Sequence, residues 1–171
     1  DADRRSQIGL QLYEQGEVDA LGYIFSKHID GDKYNREIFT SFTGTAFLYI
    51  NLQTKPFDDL RVRRALSMAI DRNKLVGDTP LPLKAAYTFV PPLEGYEDVS
   101  AKSGNAETAR RLLAEAGFPQ GRGFPKIEYL YNRSESNKKV AETIQQIWLK
   151  ELGIEIQLIE ENWRGYFQRR R

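Results

Sequence analysis

Few residues of this 171-residue chain have types that could carry chemistry: adjacent carboxylates at Glu160 and Glu161, one histidine, His28, and two arginine-rich stretches. Paired acids do general acid–base work only when they face a shared pocket. Glu160 and Glu161 instead stand at the end of an apolar run, IEIQLIE, and read as a strand end. His28, in SKHID, reads as a surface hydrogen-bonding residue of a polar loop, and a single histidine leaves no room for a His-rich metal site. Zero cysteines exclude thiol catalysis and disulfides. The GRG of QGRGFP lies between a helix and a strand, the wrong order for cradling phosphate at a helix start, and reads as a turn. Neither GxSxG, a Walker loop nor HExxH occurs. The residues therefore assign no catalytic group, no cofactor and no metal.

Arginine remains. The stretch FDDLRVRRALSMAIDRNKLV gathers Arg61, Arg63, Arg64, Arg72 and Lys74 around Val62, Ala65, Leu66, Ala69 and Ile70, which recur at helical spacing as one apolar stripe. The charges then face solvent, with Asp58 as N-cap and Asp59 placed to pair with Arg63. The second cluster closes the chain as WRGYFQRRR. Arg169, Arg170 and Arg171 fit a solvated helix end, or one of them a carboxylate anchor, because the planar guanidinium fork matches that anion. Trp163 fits either a core or a cleft wall.

Composition decides between partners. Lys+Arg number 25 against 24 Asp+Glu, a net charge of +1. Nucleic-acid binders neutralise phosphates with a basic excess, and none is present here. The 40% hydrophobic and 12% aromatic content suits a folded domain. No long uncharged apolar run fits a membrane span, and no signal peptide is visible.

The elements that must position these residues follow from periodicity. Helices are expected over Arg4–Gln15 (burying Ile8 and Leu12 and ended by Gly16), Asp59–Asn73, Ala106–Ala116 behind an Asn105 cap, and Asn137–Leu152 closed by Gly153. Strands are expected near Val18–Phe25, Phe47–Leu52, Ile127–Tyr131 and Ile154–Ile159. The last two, with the helix between them, make a βαβ unit with parallel strands. Gly77–Ser103, rich in proline and glycine, reads as extended connection, and Asn162 caps a final helix.

Taken in order, LYEQGEVDAL, FLYINLQTKPFDDLRVRRALSMAIDRNKLV, the VPP at Val90–Pro92, ARRLLAEAGFPQGRGFPKIEYLYN and NKKVAETIQQIWLKELGIEIQLIEENWRGYFQRRR resemble the family 5 solute-binding proteins of ABC importers. The final segment is most similar to the oligopeptide-binding branch. The resemblance implies an α/β, periplasmic-binding-protein-like lobe, with a mixed sheet flanked by helices and a C-terminal βαβ unit. It also implies that residues 1–171 form a single lobe, the central part of a second lobe, with a first lobe before Asp1 and a return segment after Arg171. In that family the arginine-rich helix is scaffold, packed on the sheet that includes AFLYINL. Arg170 and Asn137 match positions near the peptide carboxylate; a histidine can occur at the second, so the asparagine is a departure.

The function implied is capture of oligopeptides for an importer permease, without enzymatic activity and without nucleic acid, in the periplasm or on the cell surface as a membrane-anchored protein. A dipeptide or nickel-complex binder, the sensor domain of a transcription regulator, and more distantly a hydrolase are the alternatives.

Overall fold

A computed structural model describes residues 2–21, 44–77, 84–90 and 104–170. The described elements run α1 (Ala2–Glu14), α2 (Leu60–Ala69), α3 (Arg72–Gly77), α4 (Ala106–Glu115), β1 (Ile127–Asn132), α5 (Glu135–Leu152), β2 (Ile156–Glu161) and α6 (Trp163–Arg169). His28, Pro91 and Pro92 of the VPP motif, most of the proline-rich connection and Arg171 lie outside the described residues.

The βαβ unit forms as expected. β1 and β2 pair in parallel from Ile127↔Ile156 to Asn132↔Glu161. Between them, the Ser134 hydroxyl accepts the Asn137 N–H and starts α5, and Gly153 ends it at φ 69°. That left-handed turn aims the Gly153 and Ile154 N–H groups at the Leu149 and Trp148 carbonyls, which the helix leaves open. A Cβ at Gly153 would run into the Gln120 carbonyl, so the turn after α4 and the end of α5 abut through backbone alone. Asn105 caps α4 by accepting the Thr108 N–H at 3.1 Å.

Strand alternation places Ile127, Tyr129, Ile156 and Leu158 on one face, and these side chains pack against the core. Val62, Leu66, Leu113, Ile144, Leu152 and Ile154 are fully buried. The apolar stripe of α2 meets α4 and α5. Three of the arginines around it, Arg61, Arg63 and Arg72, bond the protein itself. Arg61 chelates Asp59 at 2.6 Å and donates to the Glu115 carbonyl at 2.7 Å, joining the start of α2 to the end of α4. Arg63 donates to the Phe57 carbonyl at 2.7 Å and Arg72 to the Ser67 hydroxyl at 2.9 Å. A scaffold helix is the outcome.

Several expectations are corrected. Asp59, not Asp58, is the N-cap, and it pairs with Arg61 instead of Arg63, because its carboxylate accepts the Arg61 N–H at 2.8 Å and so draws that side chain in. The same hydrogen bonds hold the Asp59 carboxyl below the ordinary carboxylate range, the Arg61 side chain first and its backbone N–H second. The expected Asp59–Asn73 helix is two helices, since Ile70 is extended (φ −84°, ψ 110°) and Asp71 caps the next turn through the Asn73 and Lys74 N–H groups. Gly16 ends α1 at φ 71°, but Ile8 is exposed rather than buried.

The sheet among the described residues has two parallel strands. Residues 46–50 and 18–21 form no strand, and residues 22–25 lie outside the description. An apolar run becomes a strand only when a neighbour completes its ladder, and residues 46–50 meet none among the described residues. Ile50 reaches the core, while Phe47, Leu48 and Tyr49 are exposed. The α/β class and the small helix-flanked sheet stand; the strand expected at Phe47–Leu52 does not form, and the described part of Val18–Phe25, residues 18–21, forms none.

Candidate functional site

The seven residues of α6 begin where Asn162 accepts the Gly165 N–H at 2.9 Å. From there Trp163, Tyr166, Phe167 and Arg170 recur at i, i+3, i+4 and i+7, which puts them on one helical stripe. Trp163 stacks on Phe167, with centroids 5.4 Å apart and planes at 22°, and Tyr166 meets both rings edge-on. These rings are open to solvent, Trp163 by 60% and Phe167 by 51%. An aromatic stripe that stays exposed while the core fills elsewhere is a surface for something else.

The stripe continues onto the 44–50 segment. The Arg170 guanidinium lies 4.8 Å from the centroid of Tyr49, 5.5 Å from Phe167 and 5.9 Å from Tyr166. Tyr49 is tilted against Phe47 at 4.6 Å, and Phe47 meets Phe89 edge-on at 4.7 Å. Phe89, Phe47, Tyr49, Arg170 and Phe167 are therefore linked in one run of contacts.

The two arginines ending α6 differ in what they meet. Arg169 bonds Glu128 at 2.8 Å and Glu161 at 3.4 Å, both on the sheet face opposite the core, and clamps α6 onto β1 and β2. Arg170 meets rings, and among the described residues it has no carboxylate partner. A ring face holds a cation by its quadrupole without neutralising it, so these ring contacts leave the Arg170 charge uncancelled among the described residues.

Asn137 occupies a different corner. Its Nδ2 donates to Asn132 Oδ1 at 2.9 Å and to the Asn132 carbonyl at 3.2 Å, so its amide is locked to the carboxyl end of β1. Ligands of parallel α/β sheets gather at that end. Nearby, Glu160 accepts from Arg133 at 2.7 Å and from the Tyr131 hydroxyl at 3.4 Å. Arg170 and Asn137 share no partner, so the structure does not draw them into one constellation. Glu160 and Glu161 point to opposite faces of β2 and cannot act as an acid–base pair. Trp148 is core, while Trp163 is surface. Tyr49 was hidden within an apparent strand. The i, i+3, i+4, i+7 spacing of the α6 residues was the legible signal for the aromatic stripe.

Among the described residues no helix is long and apolar enough to cross a membrane, and no cluster of acids or histidines could hold a metal ion. Residues 4–171 match the model of bacterial extracellular solute-binding proteins, family 5, middle region. The periplasmic oligopeptide-binding protein OppA of Salmonella typhimurium is 36% identical over 137 residues, covering 74% of this chain and 24% of that protein. Among solved structures, an oligopeptide-binding protein of an ABC transporter from Borrelia burgdorferi superposes with a TM-score of 0.74 at 36% identity, over 96% of this chain and 34% of that one. Haemophilus influenzae OppA, in complex with the peptide RPPGFSPFR, gives a TM-score of 0.74 at 25% identity, over 96% of this chain and 35% of that one. The chain thus spans about a quarter to a third of the length of these relatives. By its sequence from residue 4 onward and by its fold, the chain belongs to the family 5 bacterial extracellular solute-binding proteins, whose middle region it matches.

Proposed function

We propose that the protein is the ligand-capturing subunit of an ABC importer and takes up oligopeptides outside the cytoplasmic membrane, in the periplasm or anchored at the cell surface. It performs no chemistry. Residues 1–171 form part of one lobe, and a second lobe of the same protein closes over the ligand. Closure shifts a hinge equilibrium, because the ligand binds the closed form better, and the closed form is what a permease accepts. Arg170 anchors a ligand carboxylate, and Asn137 contributes at the carboxyl end of β1.

The observation that carries this reading is the Arg170 guanidinium, held 4.8 Å from the Tyr49 ring centroid beside exposed aromatic rings and without a carboxylate partner among the described residues. The names of the relatives, oligopeptide-binding proteins in both sequence and structure, supply the ligand class. Calorimetry on the full-length protein tests it, with oligoalanines of three to five residues as free acids and as C-terminal amides. Wild type is expected to prefer the acids, and Arg170→Ala to lose more affinity for acids than for amides. Equal losses for the two forms would remove Arg170 from the anchor role. The 171-residue chain alone is expected to bind the same peptides weakly, since half an enclosure does not offset the association cost of about 4–15 kcal/mol.

A further inference from the structure

We propose that Tyr49 is a specificity-determining positioning residue, which holds the Arg170 guanidinium by its ring face with the charge uncompensated and so sets the preference for carboxylate-bearing ligands. This rests on the reading of Arg170 as the anchor and adds the group that makes it one.

The two neighbouring arginines show the alternatives open to a guanidinium at this helix end. Arg169 is held by Glu128 at 2.8 Å and Glu161 at 3.4 Å, and two carboxylates leave it no charge to offer. Among the described residues Arg170 is held by rings, Tyr49 nearest at 4.8 Å. The other two rings, Tyr166 and Phe167, belong to the helix that carries Arg170 and follow its motion. Tyr49 is the only one of the three from a separate segment, so it alone fixes the guanidinium relative to the rest of the surface. Tyr49 is itself steadied by Phe47, which leans on Phe89. A side chain with as much rotamer freedom as arginine gains selectivity when it is held in place before the ligand arrives. A carboxylate at position 49 would hold Arg170 equally well but neutralise it. The ring separates positioning from neutralisation.

Tyr49 is 64% exposed, so its replacement leaves the core untouched. The test uses the full-length protein, calorimetry and two peptide pairs: trialanine against its C-terminal amide, and an amidated pentaalanine with a central Glu against the same peptide with Gln. The first pair reports a terminal carboxylate and the second a side-chain one; whichever pair wild type discriminates identifies the source. Tyr49→Leu is expected to cut that discrimination about two- to five-fold, the range of one cation–π contact, while the uncharged member keeps its affinity. Tyr49→Phe restores the discrimination, and Tyr49→Glu abolishes it by pairing with Arg170. Equal losses for the charged and uncharged members in Tyr49→Leu overturn the proposal, as does failure of Tyr49→Phe to restore discrimination. If wild type discriminates neither pair, or Arg170→Ala leaves the discrimination intact, the anchor reading itself falls. If Arg170→Ala removes it and Tyr49→Leu does not, only the role of Tyr49 falls.

Discussion

The Trp148 indole N–H donates to the Leu66 carbonyl oxygen at 3.0 Å, a buried bond between residues 82 positions apart. The acceptor is available because α2 stops early: the Ile70 N–H turns to the Ser67 carbonyl at 3.4 Å instead of continuing the helical ladder to Leu66. Trp148 thus fills core volume and also satisfies a carbonyl that the break in the helix leaves open. Trp148→Phe should keep most of the packing but strand that carbonyl, at a cost of about 1–3 kcal/mol. Urea unfolding of the 171-residue chain measures it, and an unchanged midpoint would mean that water replaces the indole.

The stripe of α2 separates scaffold from surface. Leu66→Ala removes a fully buried side chain between α2, α4 and α5 and should cost about 2–5 kcal/mol. Arg64→Ala, on the exposed side of the same helix, should stay within about 0.5 kcal/mol. Denaturant melts giving the reverse order would contradict the scaffold role and return the arginine helix to nucleic-acid recognition.

Alkaline pH probes the sheet. Burial first, and Tyr166 second, push the Tyr129 phenol from its ordinary 10.0 up to about 12. Below pH 10 both folded and unfolded chains keep this proton, and the stabilisation is intact. Between about 10 and about 12 the unfolded chain sheds the proton while the folded chain holds it, so stability falls by roughly 2–3 kcal/mol over that window. Tyr129→Phe should flatten that part of the stability–pH curve. Parallel curves for variant and wild type would show that Tyr129 titrates normally in the fold.

Local chemistry determined the C-terminal third of this protein. Asn162 before one helical run, Gly153 after another, and two short runs rich in Ile, Leu and Tyr were sufficient to place β1, α5, β2 and α6 within a few residues. Each signal acts within one or two turns of its own position, so it is readable along the chain. Two features were decided only by the tertiary structure. AFLYINL has the composition of a buried strand, yet a strand needs a partner's N–H and C=O groups, and its rings instead face out to meet Phe89 and Arg170. Arg169 and Arg170 are neighbours of one type, and nothing local distinguishes the clamp from the free cation. That difference comes from Glu128, far along the chain on the face that α6 covers, and from Tyr49, farther still. Charge pairing and ring contact depend on distance in space, and only the folded chain sets it.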